Sequence, residues 1–201
     1  MITLGLTGSI GMGKSTAAGM LRRMGVPVYC ADEAVHRLLG PGGAAVADVA
    51  ALYPAAIRHE SGKAFIDRAA LGHAAFADRG LMKRLEGILH PLARKAEQDF
   101  LKRARAQRRK LVVLDIPLLL ETGGQSRVDA VLVVHAPSFV QRQRVMARPG
   151  MTQEKLRAVL ARQMPAARKL RYADYIIPTG LGHAFTWKKL KKLVQGGQGI
   201  G

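Results

Sequence analysis

Short apolar runs alternate with helix-spaced apolar positions along most of the chain. Residues 2–7 form an apolar run, and after a glycine-rich turn apolar residues recur at helical spacing to about Met24. The predicted strands comprise residues 2–7, 26–30, 111–115, 129–135 and 175–177. Strands that alternate with helices are typical of parallel sheets, so we predict an α/β fold with a central five-stranded parallel sheet and helices on both faces.

Residues 44–106 show a different pattern. They contain no long strand-like run, and we predict several helices interrupted at three breaks. Those breaks are Tyr53-Pro54, Ser61-Gly62 and His90-Pro91. We interpret the segment as a helical insertion in the α/β core. Another helix precedes this insertion. We expect Asp32 to be its N-cap and residues 39–43 to end it.

The C-terminal part is predicted to hold two basic helices joined at Pro149-Gly150, the first beginning at Pro137 and the second capped by Thr152. A basic amphipathic helix over residues 186–195 follows, and residues 196–201 are expected to be disordered. These elements suggest a division into a core of residues 1–40, 107–140 and 171–195, a helical region of residues 41–106, and a lid of residues 141–170.

The composition excludes several classes of protein. The chain has 201 residues, 48% of them hydrophobic, which is enough for a substantial core and excludes disorder over most of its length. Cys30 is the one cysteine, so a disulfide scaffold is excluded, and the six histidines show no metal-ligand spacing. We find no secretory signal and no apolar stretch of the roughly 18 residues that span a bilayer, and therefore expect a cytoplasmic protein.

Basic residues are in large excess. Thirty-two Lys and Arg against fourteen Asp and Glu give a formal net charge of +18 at pH 7. Sixteen of the basic residues, but only four of the acidic ones, lie within residues 102–171. Such a field attracts nucleic acid, anionic membranes or highly phosphorylated small molecules, and charge alone does not choose among them.

The strongest chemical signal is the string Gly8-Ser9-Ile10-Gly11-Met12-Gly13-Lys14-Ser15. It matches the phosphate-binding pattern G-x-x-x-x-G-K-[ST] in full, between a predicted strand and a predicted helix. The glycines let backbone N–H groups close around phosphate oxygens, and the helix N-terminus adds a positive dipole. We expect Lys14 to reach the β- and γ-phosphates of a nucleotide and Ser15 to ligate Mg²⁺.

Two acids follow predicted strands, at the edge where open α/β sheets bind ligands. Asp32 could accept or orient the proton of an attacking hydroxyl, and N-capping alone is the alternative. Asp115 could hold Mg²⁺ or its water, and capping or a buried hydrogen bond is the alternative. Arg144 and Arg148 share one helix face, which indicates a lid that closes over transferred phosphate, or an ordinary solvated basic face. A buried side chain is the ordinary interpretation of His90.

Taken together, these residues resemble the dephospho-coenzyme A kinase family from Ile2 to about Gly180. The resemblance rests on residues 5–15, Ala31-Asp32, Gly62 with Ile66-Asp67-Arg68, Leu85-Glu86 with His90-Pro91, residues 115–119 with Glu121, residues 141–148, Gln163-Met164-Pro165 and Ala173-Asp174-Tyr175. The Asp-x-Pro-Leu-Leu-x-x-Glu and Gln-Met-Pro strings are the selective ones. In one departure, Pro178-Thr179-Gly180 stands where the family tends to have Asn or Asp with Gly, near the adenine.

The resemblance implies a three-part kinase with the P-loop NTPase fold. Its core would bind ATP with Mg²⁺, its helical part would bind dephospho-coenzyme A, and its lid would close during phosphorylation of the ribose 3′-hydroxyl. Phosphate binding would fall to Gly8, Gly11, Met12, Gly13, Lys14, Ser15 and Thr16. The catalytic residues would be Asp32, as base, with Lys14, Arg144 and Arg148. The acceptor would be bound by Asp32, Asp67, Arg68 and His90, and the metal by Ser15 and Asp115.

Two other functions remain open from the sequence. A different small P-loop kinase, such as a nucleoside monophosphate kinase, would share the core but not the acceptor pocket. A nucleotide-gated RNA-binding module would account for the charge and would bind RNA with a steep salt dependence. The chain shows no RNA-binding motif and is 5% aromatic, so we expect no nucleic acid partner. We also expect a monomer and no membrane partner.

Overall fold

The computed structural model describes residues 1–197, which form seven strands and nine helices. The strands are β1 (Ile2–Thr7), β2 (Val28–Cys30), β3 (Ile57–Glu60), β4 (Lys63–Ile66), β5 (Leu111–Asp115), β6 (Ala130–His135) and β7 (Tyr175–Pro178). The helices are α1 (Lys14–Arg23), α2 (Ala31–Leu39), α3 (Val46–Leu52), α4 (Arg68–Ala77), α5 (Arg79–Ala106), α6 (Ser138–Met146), α7 (Gln153–Arg162), α8 (Ala166–Leu170) and α9 (His183–Gly197). Short 3-10 turns lie at Pro54–Ala56 and Gly124–Arg127.

Five of the strands form one sheet in the order β2-β5-β1-β6-β7. Strand β1 pairs in parallel with β5 and β6, so Leu4 lies between Val113 and Ala130, and β7 continues the parallel pairing beyond β6. Every residue of β5 is buried, as expected for a strand covered on both faces. The predicted five-stranded parallel sheet is therefore confirmed.

The chain divides into two compact units, Met1–Tyr29 with the chain from Ala104 onward, and Cys30–Arg103. In the first unit, side chains of the sheet pack with those of α1 and α9. Leu6, Leu21 and Leu190 are completely buried there. Burial of a side chain of this size contributes about 1.5–3 kcal/mol, so this cluster fixes α1 and the turn before it against the sheet.

The second unit contains helices α2 to α4, most of α5, and an antiparallel hairpin of β3 and β4. Ser61 and Gly62 form its turn with φ values of 48° and 76°, both left-handed, as a two-residue hairpin turn requires. The prediction of helices without strands was wrong here. Each strand has only four residues, and three of the four in β3 are exposed, so the segment shows no extended apolar alternation. A Ser-Gly pair, moreover, is typical of a helix end as well as of a hairpin turn.

The predicted helix break at His90-Pro91 was also wrong, because the 28-residue helix α5 runs from Arg79 to Ala106 and includes Pro91. Proline removes the hydrogen bond to the carbonyl four residues earlier, which belongs to Gly87. Gly87 and Pro91 are both exposed, so water can donate a hydrogen bond to that carbonyl. His90 is exposed as well, which corrects the expectation of a buried side chain.

The predicted C-terminal boundaries differ slightly from the structure. Residues 141–170 lie within the first unit, and α9 begins at His183 and includes Gly196 and Gly197. Residues 198–201 of the predicted disordered tail lie outside the described residues. No helix among residues 1–197 is both long and apolar enough to cross a bilayer.

Candidate functional site

The glycine-rich loop between β1 and α1 has a shape that only glycine permits at two points. Gly11 has φ 75°, and a Cβ there would lie 2.5 Å from Val145 Cγ2. A Cβ on Gly8 would lie 2.4 Å from Val134 Cγ2. The loop backbone therefore lies directly against β6 and α6, and side chains at these positions would force it away.

The same loop presents a row of free backbone donors. Within residues 1–197, the N–H groups at positions 11, 13, 14, 15 and 16 donate no hydrogen bond to the protein. Helix α1 has no acidic residue in its first turn, and no side chain within residues 1–197 caps its positive end by a hydrogen bond. This arrangement is a binding site for anionic oxygens.

Lys14 and Asp115 form an ion pair at this end of the sheet. Lys14 Nζ lies 2.6 Å from Asp115 Oδ1, and the two side chains are 15% and 4% exposed. An ammonium group has three donors, so Lys14 retains donors for phosphate oxygens while it contacts Asp115. The end of β5 thus places Asp115 beside the phosphate-binding lysine.

The residues here suit Mg²⁺ held mainly by phosphate oxygens. Ser15 is exposed in the first turn of α1, and the Asp115 carboxylate ends β5. Hydroxyl and carboxylate oxygens are ligands that Mg²⁺ accepts, together with phosphate and water. Residues 1–197 contain no group of three or more His, Cys, Asp or Glu that could form a separate metal site.

Two glutamines hold the loop at Ile10. Gln141 Nε2 donates to the Ile10 carbonyl at 2.8 Å, and the Ile10 N–H donates to Gln163 Oε1 at 3.0 Å. Both peptide groups of Ile10 are therefore fixed by side chains more than 130 residues later in the chain. Sequence reasoning did not assign this role, although both glutamines stand in the motifs that carry the resemblance.

Thr179, which follows β7, connects the loop to Arg144. Its hydroxyl donates to the Met12 carbonyl at 2.7 Å, and the side chain is almost completely buried. Arg144 Nη2 donates to the Thr179 carbonyl at 2.7 Å, and Nη1 lies 3.4 Å from the hydroxyl. The departure from the family pattern at this position thus places a threonine under the loop. Sequence reasoning had named Arg144 but not its partner.

Arg148 and Asp32 have unengaged side chains. Both are exposed, and neither side chain makes a hydrogen bond or ion pair within residues 1–197. Asp32 is the second residue of α2, and Cys30 occupies the N-cap position, so the expectation that Asp32 caps the helix was wrong. Its carboxylate remains available for another partner.

The predicted acceptor residues lie in the second unit. Asp67 caps α4, because its Oδ1 accepts from Ala69 N at 3.0 Å and from Ala70 N at 3.1 Å. Its Oδ2 lies 3.5 Å from Arg58 Nη2. Arg68 is exposed with no side-chain partner within the described residues. Asp67, Arg68 and Arg58 line a cavity of about 500 Å³, whereas His90 does not line it.

Comparison with known proteins gives consistent matches. The family model described as dephospho-CoA kinase matches residues 2–181, a span that contains every predicted site residue. The dephospho-CoA kinase of Paramagnetospirillum magneticum is 60% identical over 84% of this chain and 78% of its own length. That of Mesorhizobium japonicum is 54% identical over 90% of this chain and 89% of its own. The crystal structure of TT1252 from Thermus thermophilus superposes with a TM-score of 0.82 at 34% identity, covering 97% of this chain and 96% of its own.

Proposed function

The chain belongs to the dephospho-CoA kinase family, which phosphorylates dephospho-CoA with ATP, and on that premise we propose that it transfers the γ-phosphoryl group to the ribose 3′-hydroxyl. The observation that carries the proposal is the loop before α1, where five free N–H groups and Lys14 meet at an uncapped helix end. Such a site neutralises phosphate charge, which is the main requirement of phosphoryl transfer.

On the donor side, we assign the ATP phosphates to the backbone between Gly8 and Thr16 and to Lys14. Mg²⁺, when bound, would neutralise charge on the phosphates, and Ser15 and Asp115 would hold it directly or through water. The 2.6 Å contact with Asp115 supports the assignment of Lys14, because it holds the ammonium in place before nucleotide binds. Preorganised charge of this kind needs no rearrangement when negative charge develops during transfer.

On the acceptor side, we assign Asp32 as the base that receives the proton of the 3′-hydroxyl. Its exposed and unpaired carboxylate supports this role, since a group engaged in capping could not accept a proton readily. We assign Arg68 to an anionic group of the acceptor, because its exposed guanidinium has no partner among residues 1–197. Asp67 would act mainly by fixing the start of α4, next to Arg68. We assign His90 to the acceptor side as well, although it does not line the cavity.

Residues 141–170 are proposed to act as the lid of the ATP site. Arg144 would contact the transferred phosphoryl group, and its hydrogen bonds to Thr179 support this because they hold it beside the loop. Arg148 would join it from the segment that follows α6, because the helix ends at Met146 and the expected shared helix face does not extend to Arg148. Arginine suits this role because its planar donors match phosphate oxygens.

We further propose that the protein acts as a cytoplasmic monomer without nucleic acid or membrane partners. The net charge of +18 would then serve to attract two polyanionic substrates. Size-exclusion chromatography with light scattering tests the monomer. RNA binding measured at several salt concentrations tests the absence of a nucleic acid partner, since genuine affinity would fall steeply with salt.

The decisive experiment measures ADP release from Mg-ATP with dephospho-CoA, AMP, CMP or no acceptor. We expect turnover with dephospho-CoA alone and a product with the mass of CoA. Digestion with an enzyme specific for 3′-phosphates should return dephospho-CoA. Turnover with AMP or CMP instead would keep the kinase and overturn the acceptor, and ATP binding without acceptor-dependent turnover would overturn the proposed reaction.

A further inference from the structure

A buried ion pair lies behind the loop, between the segment that follows β5 and helix α8. Glu121 Oε1 lies 2.8 Å from Lys169 Nζ, and the two side chains are 14% and 1% exposed. The same oxygen accepts the backbone N–H of Met164 at 2.8 Å. Glu121 therefore holds residues 164–169 at both ends, once through the backbone and once through a side chain.

Stability alone does not explain this pair. The second oxygen of Glu121, Oε2, is buried and has no hydrogen-bond partner among residues 1–197, and the Lys169 ammonium is close to Oε1 without the alignment of a hydrogen bond. Desolvation of two charges commonly cancels their attraction, and apolar residues of similar volume are often at least as stable. A buried polar atom without a partner adds to that cost. The ion pair is better suited to fixing the position of the backbone near Met164.

The position that it fixes is that of Gln163. Met164, whose N–H is held by Glu121, directly follows Gln163, whose Oε1 accepts from the Ile10 N–H of the loop. Beyond Met164, Pro165 occupies the N-cap position of α8, and Lys169 anchors that helix from within. A single carboxylate thus connects the strand-end segment, the start of α8 and the loop that we assign to ATP.

We propose that Glu121 is a positioning residue for ATP binding, which acts through Gln163 on the peptide of Ile10. With Glu121 in place, Gln163 holds the loop in its phosphate-binding shape before ATP arrives. Without that contact, binding must order the loop, so ATP affinity falls while the transfer step from bound ATP is little changed. Loss of one such hydrogen bond corresponds to about a five- to tenfold weaker affinity.

The test compares two doubly substituted proteins, since a single change at Glu121 would leave an unpaired buried lysine. Glu121→Gln with Lys169→Met removes both charges but keeps an acceptor for Met164 N–H. Glu121→Leu with Lys169→Met removes both charges and the acceptor. We expect the leucine protein to bind ATP about five- to tenfold more weakly than its glutamine counterpart in calorimetry. Its kcat at saturating ATP should stay within about twofold, and equal ATP affinities would overturn the proposal.

Gln163→Ala, alone and in both double variants, shows whether Glu121 acts through Gln163. Alone it should weaken ATP binding as much as the leucine change does, and unchanged affinity overturns the proposal whether or not the Glu121 variants fold. In combination, the difference between the leucine and glutamine proteins should disappear. Additive losses would mean that Glu121 acts by another route. The inference rests on the proposed ATP site, so failure of the unsubstituted protein to bind ATP would refute that site instead.

Discussion

Replacement of Thr179 by valine tests whether the side chain beneath the loop supports ATP binding. Valine has nearly the same shape as threonine but no hydroxyl. The change removes the donor at 2.7 Å from the Met12 carbonyl and the acceptor at 3.4 Å from Arg144 Nη1. Arg144 keeps its 2.7 Å bond to the backbone carbonyl of residue 179, which the substitution does not alter. The variant therefore affects the loop more than the arginine.

The size of the effect follows from burial. Thr179 is 5% exposed, so the Met12 carbonyl would lose its hydroxyl donor in a site with little access to water. Leaving a buried acceptor unpaired costs about 1–3 kcal/mol. For a chain of this size, each kcal/mol lowers the melting temperature by about 2–4 °C. We expect a melting temperature about 2–12 °C lower, a severalfold higher KM for ATP, and a smaller change in kcat.

Thermal unfolding followed by circular dichroism and steady-state kinetics with varied ATP measure these effects. Thr179→Ser is the matched control, because it keeps the hydroxyl and loses one methyl group, at about 1 kcal/mol of stability. Serine should lower the melting temperature slightly and leave the KM for ATP unchanged. The reasoning is refuted if valine leaves the KM for ATP at its original value, or if serine raises it as much as valine does.

Three further predictions concern residues of the site itself. Lys14→Ala should lower kcat by about 10²–10³-fold and also destabilise the protein, since it removes the ammonium group that pairs with buried Asp115. Adding Asp115→Asn, which removes the negative charge of that side chain, should recover part of the melting temperature but not kcat. Asp32→Asn should lower kcat by about 10²–10⁴-fold with the ATP dissociation constant unchanged, and unaltered kcat would remove Asp32 as the base. Gly11→Ala should abolish ATP binding, because the residue has φ 75° and an added Cβ would lie 2.5 Å from Val145 Cγ2. Gly19→Ala on α1 is the control and should be neutral or stabilising, because its Cβ would meet no atom of the described residues within 4 Å. Loss of ATP binding in both variants would point to a general effect on α1.

Local patterns predicted much of the fold because the elements concerned are specified locally. The five parallel strands are continuous apolar runs, and the Thr152 hydroxyl accepts from Lys155 N as a capping residue should. The hairpin at residues 57–66 was missed because each of its strands has only four residues and β3 is mostly exposed and polar. The sequence predicts a helix end at Pro91, but proline can stay inside a helix where water reaches the carbonyl that it leaves without a hydrogen bond. Whether water reaches that carbonyl depends on the surroundings of α5, which the local sequence does not specify.

In the site too, residues whose role follows from local sequence were predicted, and residues whose role depends on distant contacts were missed. Lys14 and the loop glycines act at the position where they stand, and their spacing reveals them. The missed residues each contact a backbone group of another segment, and they are Thr179, Gln163 and Glu121. Every residue has such backbone groups, so no combination of residue types in the sequence predicts these contacts.

A glycine-rich loop creates the need for such contacts. It offers phosphate-binding N–H groups because it has few side chains, and for the same reason it cannot hold its own shape, since glycine is the residue with the most conformational freedom to lose. The stiffness must come from elsewhere, and here it comes from side chains that contact the carbonyls of Ile10 and Met12 and the Ile10 N–H. Substitutions in this supporting set should therefore change ATP affinity before they change the rate of transfer, whereas substitutions of Lys14 or Asp32 should do the opposite.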